Sequence, residues 1–226
     1  MILEFKKSRL ILLIGLAIGL IVTGLLFLFT QQLFVLLLFV FLYPWMLYRY
    51  SKKAALRSIQ DLEKILHREL DAKRYIDKYN QLIDKPKSRD SRWNLKKYHN
   101  IMLAALVLND QPLFNQYLKA SNEKFESVYR ILPVFNYLKN TLLVMEMAVF
   151  ENKHSTKVME ESFEKLDKQI QATILKNPYS FHNWVLNLTK YNESEIESLP
   201  NVLKKLTMNA YENNSKKFKT ELHISK

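Results

Sequence analysis

Two apolar runs near the N-terminus constrain this chain more than any other feature. The first, Leu10 to Phe29, contains no charged residue, and the second continues from Leu33 to Tyr48 after Thr30-Gln31-Gln32. A helix rises about 1.5 Å per residue, so the first run covers the roughly 30 Å hydrocarbon core of a bilayer and the second nearly does. The sequence therefore predicts an N-terminal two-helix transmembrane hairpin, with spans at about 10–29 and 31–48.

Basic residues flank both ends of this hairpin. Residues 1–60 carry seven Lys and Arg residues against Glu4 alone, in a chain whose formal net charge is +12. Because basic residues mark the cytoplasmic side of membrane helices, we expect both termini in the cytoplasm and the protein in the cell membrane. A cleaved signal peptide is the alternative, but the first run is longer than a signal h-region of about 7 to 15 residues. The residues expected to contact anionic headgroups are Arg49, Lys52, Lys53 and Arg57.

The glycines of the chain also belong to the first apolar run. Gly15 and Gly19 have the small-xxx-small spacing that lets two membrane helices approach closely, and Gly24 follows them. We therefore predict span packing at Gly15 and Gly19, against the second span or against another copy in a homo-oligomer. The alternative is that glycine is simply frequent in membrane helices. No Asp, Glu, Lys, Arg or His lies between Leu10 and Tyr48, which favours an anchor over a transporter.

The remainder of the chain has helical periodicity. Residues 51–212 are predicted to form a cytoplasmic helical domain, followed by a flexible basic tail at 213–226. Sustained period-two alternation is missing, so the fold class is all-α. The predicted helices after the spans are about 52–70 and 72–84, Arg92 to Leu108, a helix starting at Pro112, Phe125 to Leu132, Val134 to Glu151, Thr156 to Lys176, Tyr179 to Tyr191 and Glu195 to Tyr211.

Three local signals set the boundaries near the start of this domain. Asp71 is a candidate cap for a helix that restarts after Leu70, although one long helix continuing from the second span is the alternative. Lys85-Pro86-Lys87-Ser88 is predicted to be a loop. Asn109-Asp110 is predicted to be the turn of an antiparallel helical hairpin.

This hairpin carries a resemblance to a known family. The segment YHNIMLAALVLNDQPLFNQYL, residues 98–118, resembles a hairpin of tetratricopeptide-like helical repeats, with small residues where the helices cross. The glycine and tryptophan signature of that family is missing, and the resemblance covers about 120 residues. It implies a TPR-like solenoid or bundle with a protein-binding surface, and it transfers no binding residues.

Residue types needed for catalysis are absent or scattered. The chain contains no cysteine, and beyond Gly24 no glycine that could form a phosphate-binding loop. Its five histidines lack the i, i+4 spacing of a zinc helix. We therefore predict a protein that is not an enzyme and uses no metal or cofactor. The histidines are His67, His99, His154, His182 and His223.

Two further segments are candidate binding surfaces. The basic stretch 85–97, with Trp93 among its lysines, fits a solvated face, a lipid contact or, least favoured, a nucleic-acid contact. Tyr179, Phe181 and Trp184 are the candidate partner anchor, with core packing as the favoured alternative.

These observations predict a membrane-anchored cytoplasmic adaptor or scaffold that binds a protein partner at the membrane. The alternative from a different class is an immunity or self-protection protein against a membrane-active peptide or toxin. A membrane-tethered nucleic-acid binder is less favoured. The compact two-span, cysteine-free and lysine-rich character suggests a bacterial origin, but the sequence identifies no partner or pathway.

Overall fold

The computed structural model describes residues 6–30, 33–82, 91–151 and 155–224, and all regular structure within these ranges is helical. The all-α prediction is therefore confirmed for this part of the chain. The chain divides into two compact units, the first comprising Met1–Lys64 and Asp77–Arg89 and the second Ile65–Ile76 and Asp90–Lys226. The helices are α1 Lys6–Thr30, α2 Leu33–His67, α3 Ala72–Leu82, α4 Ser91–Leu108, α5 Gln111–Ile131, α6 Pro133–Glu146, α7 Lys157–Phe163, α8 Lys168–Lys176, α9 Phe181–Asn187, α10 Glu193–Ser198 and α11 Asn201–Ile224.

The helix α2 is much longer than the second apolar run. It spans 35 residues and contains Pro44. The predicted start of a separate helix at residue 52 is therefore wrong, because α2 continues from the second apolar run. The alternative of one long helix is right only as far as His67, where α2 ends. The predicted break after it is confirmed: Leu70 has a φ of 56°, and the Asp71 carboxylate accepts a hydrogen bond from the backbone N–H of Arg74 at 2.9 Å. That bond satisfies an N–H that has no partner within α3.

The helix α4 forms the centre of the second unit. It contacts α5, α6 and α11, and every residue from Ile101 to Val107 is buried. A helix that is apolar on all sides is stable only when other elements surround it, which explains the run IMLAALV in the sequence.

The predicted hairpin of α4 and α5 is confirmed in detail. Asn109 takes a left-handed conformation, with a φ of 59°, which asparagine tolerates better than most residues. The Asp110 side chain then accepts a hydrogen bond from the N–H of Leu113 at 2.9 Å, and Pro112 lies in the first turn of α5. The turn therefore reverses the chain within two residues. The predicted loop at Lys85-Pro86-Lys87-Ser88 lies outside the described residues.

Helix boundaries also differ from the prediction in the C-terminal half of the chain. One helix was expected from Thr156 to Lys176, but α7 ends at Phe163 and α8 begins at Lys168. The reason is local: the Gln171 side-chain amide donates to the carbonyl oxygens of Phe163 at 3.0 Å and Leu166 at 3.1 Å. These bonds satisfy carbonyl groups that a continuous helix would otherwise pair.

The segments around α5 and α11 compare differently with the prediction. The helix α5 is kinked at Phe125, whose φ of −126° and ψ of 18° are not helical, and this is the residue at which a new helix was predicted to start. The predicted helix Glu195 to Tyr211 is divided before Pro200 into α10 and α11. The helix α11 then continues to Ile224, through most of the segment that was expected to be a flexible tail.

Asparagines on α11 bond it to the rest of the second unit. The Asn209 amide is buried and donates to the carbonyl oxygens of Leu106 at 2.9 Å and Val107 at 3.2 Å, at the end of α4. Asn213 exchanges hydrogen bonds with the Asn109 side chain and also donates to the carbonyl of Val149 at 2.9 Å. Val149 belongs to a π-helical turn, Met147–Glu151, that follows α6. The polar side chains of α11 therefore satisfy carbonyls that helix ends and irregular turns leave unpaired.

Candidate functional site

The helices α1 and α2 pack as an antiparallel pair, and two hydrogen bonds set their register. Ser8 Oγ donates to the carbonyl oxygen of Ser51 at 2.7 Å. Tyr43 Oη donates to the carbonyl oxygen of Gly15 at 2.6 Å. Ser8 is fully buried, and its hydroxyl group would be costly to bury without this partner. The two bonds therefore favour one alignment of the helices over neighbouring ones.

Two of the three glycines lie where the seam, the contact surface between α1 and α2, is tightest. A Cβ atom added to Gly15 would come closer than 3.0 Å to the Leu47 side chain, and one added to Gly19 would lie 2.5 Å from the Tyr43 ring. A Cβ added to Gly24 would meet no atom within 4 Å among the described residues. The predicted packing positions Gly15 and Gly19 are thus the ones at which the structure brings α2 against the α1 backbone.

The rest of the α1 surface is apolar and open. Among the described residues, one helix is long and apolar enough to cross a membrane, the 22-residue segment Lys7–Leu28, and only 11% of the residues in its most apolar window are buried. Leu20 and Leu28 are more than two-thirds exposed. The second predicted span, 31–48, falls within α2 from Leu33 onward; residues 31 and 32 and the side chains of residues 33–38 lie outside the described part. A soluble protein rarely exposes so large an apolar surface without a partner or a lipid phase.

The four basic residues expected at the membrane surface differ in their surroundings. All four lie in α2, and the guanidinium of Arg49 is 4.5 Å from the centre of the Trp45 ring. Lys52, Lys53 and Arg57 are exposed. A cation over an indole face is stabilised by the ring quadrupole, so Arg49 already has a favourable partner within the chain.

The candidate partner anchor is divided between the surface and the core. Tyr179 is half exposed and Phe181 is partly buried. Trp184 is fully buried, and its indole N–H donates to Thr207 Oγ1 at 2.9 Å. The indole is therefore a core group that links α9 to α11, which is the core-packing alternative from the sequence. Of the three rings, only those of Tyr179 and Phe181 have surface available to a partner.

A buried polar cluster that was not predicted from the sequence joins α4 and α5. His99 Nε2 lies 3.0 Å from Tyr129 Oη, which donates to Ser121 Oγ at 3.1 Å, and Ser121 Oγ donates to the carbonyl of Leu118. Because the tyrosine proton points to Ser121, the remaining bond requires a proton on His99 Nε2. His99 Nδ1 is then a buried acceptor without a hydrogen-bond partner in the described part of the chain.

The charge state of His99 follows from this environment. Burial, with the nearby charge of Lys139 as a second cause, lowers the pKa of His99 to about 4. Burial also raises the pKa of Tyr129 to about 12. Both groups are therefore neutral at pH 7. The cluster contains no activated nucleophile and no paired acid and base, so its chemistry is that of a polar core contact.

The basic stretch 85–97 is only partly described. Lys85, Lys87 and Arg89 lie outside the described residues, and Lys96 is exposed near the start of α4. Lys97 is partly buried, and burial, together with the charge of Lys124, lowers its pKa. Within the ranges that the structure describes, no group of three or more His, Asp or Glu side chains is placed to hold a metal ion.

Comparison with known proteins identifies no family for this chain. No protein-family model, no curated protein and no solved structure matches the chain.

Proposed function

We propose that α1 and the apolar part of α2 form a two-span hairpin in the cell membrane, with both termini in the cytoplasm. In this proposal the helices that follow form a cytoplasmic domain that acts as an adaptor or scaffold for a protein partner. The single observation that supports the membrane anchor is the open apolar surface of Lys7–Leu28, because such a surface is stable when it is surrounded by lipid. The basic residues that flank both ends of this hairpin in the sequence support the cytoplasmic orientation.

The architecture of the second unit supports the adaptor part of this proposal. It contains the antiparallel hairpin of α4 and α5, which contacts α6, and α6 in turn contacts α7. Successive helical hairpins are the units from which tetratricopeptide-like solenoids present binding surfaces, so we propose a TPR-like solenoid or bundle that binds protein. The exposed ring of Tyr179, beside the partly exposed Phe181, is the proposed partner anchor.

The proposal is tested by crosslinking and pull-down of the full-length chain from its native membrane. A version in which both spans are exchanged for an unrelated two-span hairpin is compared with the native chain. We expect the same partner with both, because recognition belongs to the helical domain. Recovery of a partner only with the native spans would contradict the proposed adaptor role of the helical domain and favour recognition within the membrane.

The proposed partner-anchor residues allow a sharper version of the same test. Tyr179→Ala removes a half-exposed ring and should reduce partner recovery. Tyr211→Ala is the control, since its ring is also exposed, at 40%, but its hydroxyl is turned to the carbonyls of Leu188 and Tyr191. Equal recovery with both variants would remove Tyr179 from the proposed binding surface.

A further inference from the structure

One side of the α1–α2 pair carries a long groove. Its volume is about 830 Å³, within the range of about 300 to 1,000 Å³ that is typical of pockets for small molecules. The α1 residues that line it recur at helical spacing from Lys7 to Ile18, and the α2 residues do so from Tyr43 to Asp61. The groove therefore runs continuously between two helix faces, and it lies wholly within the first compact unit.

The groove has an apolar part of defined depth. Ile11, Ile14 and Ile18 line it on α1, and Met46 and Leu47 line it on α2. From Lys7 to Ile18 the helix rises about 16 Å, close to the half-thickness of about 15 Å of a hydrocarbon core. With Lys7 at the membrane surface, as the proposed anchor requires, the apolar part would extend through one leaflet. Its length thus matches an acyl chain in that leaflet.

The other part of the groove is cationic. Lys7, Lys53 and Arg57 line it there, together with the single carboxylate of Asp61. No ion pair joins these three cations to a carboxylate among the residues that the structure describes. Lys53 and Arg57 lie about 3 and 9 Å further along α2 than Ser51, the residue level with Ser8. A headgroup region adds about 5 to 7 Å to each side of the hydrocarbon core, so both side chains can reach it.

The basic residues of α2 are divided by this groove. Lys53 and Arg57 line it, whereas Arg49 and Lys52 do not, and Arg49 stacks on Trp45 instead. General attraction to an anionic membrane would use all four charges alike. A groove that is apolar along one leaflet and cationic at its surface end is complementary to a single anionic lipid. We propose that this groove binds one phospholipid with an anionic headgroup from the cytoplasmic leaflet, an inference that rests on the proposed membrane anchor.

The headgroup end is tested by charge-matched variants of the full-length chain. Each is purified in mild detergent, mixed with equal amounts of phosphatidylglycerol and phosphatidylcholine, and analysed by native mass spectrometry for retained lipid. The native chain should retain one phosphatidylglycerol in preference to phosphatidylcholine. Lys53→Gln with Arg57→Gln should reduce that preference about twenty-five-fold, because each cation near an anionic headgroup contributes about five-fold. Arg49→Gln with Lys52→Gln removes the same charge outside the groove and should reduce the preference far less.

The acyl-chain end is tested by filling the groove. Ile14→Trp places a large ring in the channel and should reduce lipid retention, whereas Leu13→Trp should not, since Leu13 is not part of the groove. The two positions are adjacent and similarly exposed, at 51% and 60%, so general effects of a new tryptophan cancel. Equal loss in both pairs of variants, or equal retention of the two lipids by the native chain, would overturn the proposal. So would a dimer without lipid, because a second copy would then occupy the groove.

A separate measurement distinguishes this proposal from the anchor on which it rests. Membranes from cells expressing each variant are washed with carbonate, which removes peripheral proteins. All variants should stay in the membrane pellet. If the native chain is released, the proposed anchor fails. If it stays while the two charge-matched pairs retain lipid equally, only the lipid site fails.

Discussion

His99 shows how a single residue can be neutral, buried and sensitive to pH. A charged imidazole would carry a second N–H, at Nδ1, and the described residues offer that atom no acceptor. It would also lie near the charge of Lys139. Both effects favour the neutral form, in addition to the cost of burying a charge.

The stability of the second unit should therefore fall at mildly acidic pH. The unfolded chain takes up the His99 proton near pH 6.5 and the folded chain only near pH 4, so the unfolded state binds more protons in between. This contribution is complete above pH 6.5 and decreases by about 3 kcal/mol as the pH falls to 4. His99→Gln keeps a donor near Tyr129 and does not titrate. Denaturant unfolding of the detergent-solubilised chain across this interval should show a smaller decrease for the variant.

Burial lowers the pKa of His182 as well, so some pH dependence should remain in the variant. The difference between the native chain and His99→Gln isolates the effect of His99. Identical pH profiles would show that His99 is not held neutral by its surroundings.

Thr207 offers a second test at the residue scale. Its hydroxyl accepts the indole N–H of Trp184 and donates to the carbonyl of Leu203. Thr207→Val leaves the buried indole N–H without a partner and should destabilise the chain by about 1 to 3 kcal/mol. Thr173→Val is the matched control, because Thr173 makes the same bond to the carbonyl four residues earlier, at Gln169, but is exposed. Equal unfolding midpoints for the two variants would contradict the role of the indole bond.

At the scale of helices, a feature was predictable where its sequence signal is local. The turn between α4 and α5 was predictable because Asn109, Asp110 and Pro112 carry it within four residues. The break between α7 and α8 was not, because the amide of Gln171 competes with the helix from a position inside the expected helix. Gly15 and Gly19 could be predicted as packing positions from spacing, whereas the contacts with Leu47 and Tyr43 required the register of the pair.

The seam between α1 and α2 gives the prediction at this scale. Because the chain has no cysteine, Ser8→Cys with Ser51→Cys creates a single crosslinkable pair where the two residues meet. Adding Gly19→Ala forces the Tyr43 ring to move and should slow disulfide formation several-fold in isolated membranes. Adding Gly24→Ala should not, since its Cβ meets nothing nearby among the described residues. Equal rates would mean that Gly19 has no part in holding the pair together.

For the whole molecule, the sequence predicted the all-α class and an apolar N-terminal helix, because hydropathy and periodicity are properties of the chain itself. It did not predict the polar contacts of the second unit. The bonds from Asn209 to α4 and from Trp184 to Thr207 join residues that are far apart in sequence, and a single sequence carries no record of such pairs. The groove likewise depends on two helix faces that come together only in the folded pair.

The orientation of the whole chain is the remaining prediction, and the absence of cysteine makes it directly testable. Gln31→Cys places a single thiol at the junction of the two proposed spans, and Ser198→Cys places one on an exposed residue of α10. If both termini are cytoplasmic, a membrane-impermeant maleimide should label the first variant in intact cells and the second only after permeabilisation. Labelling of Ser198→Cys in intact cells would invert the proposed orientation. If neither variant is labelled before permeabilisation, the proposed second span is contradicted. The proposed lipid site, which assumes that span, is then contradicted as well.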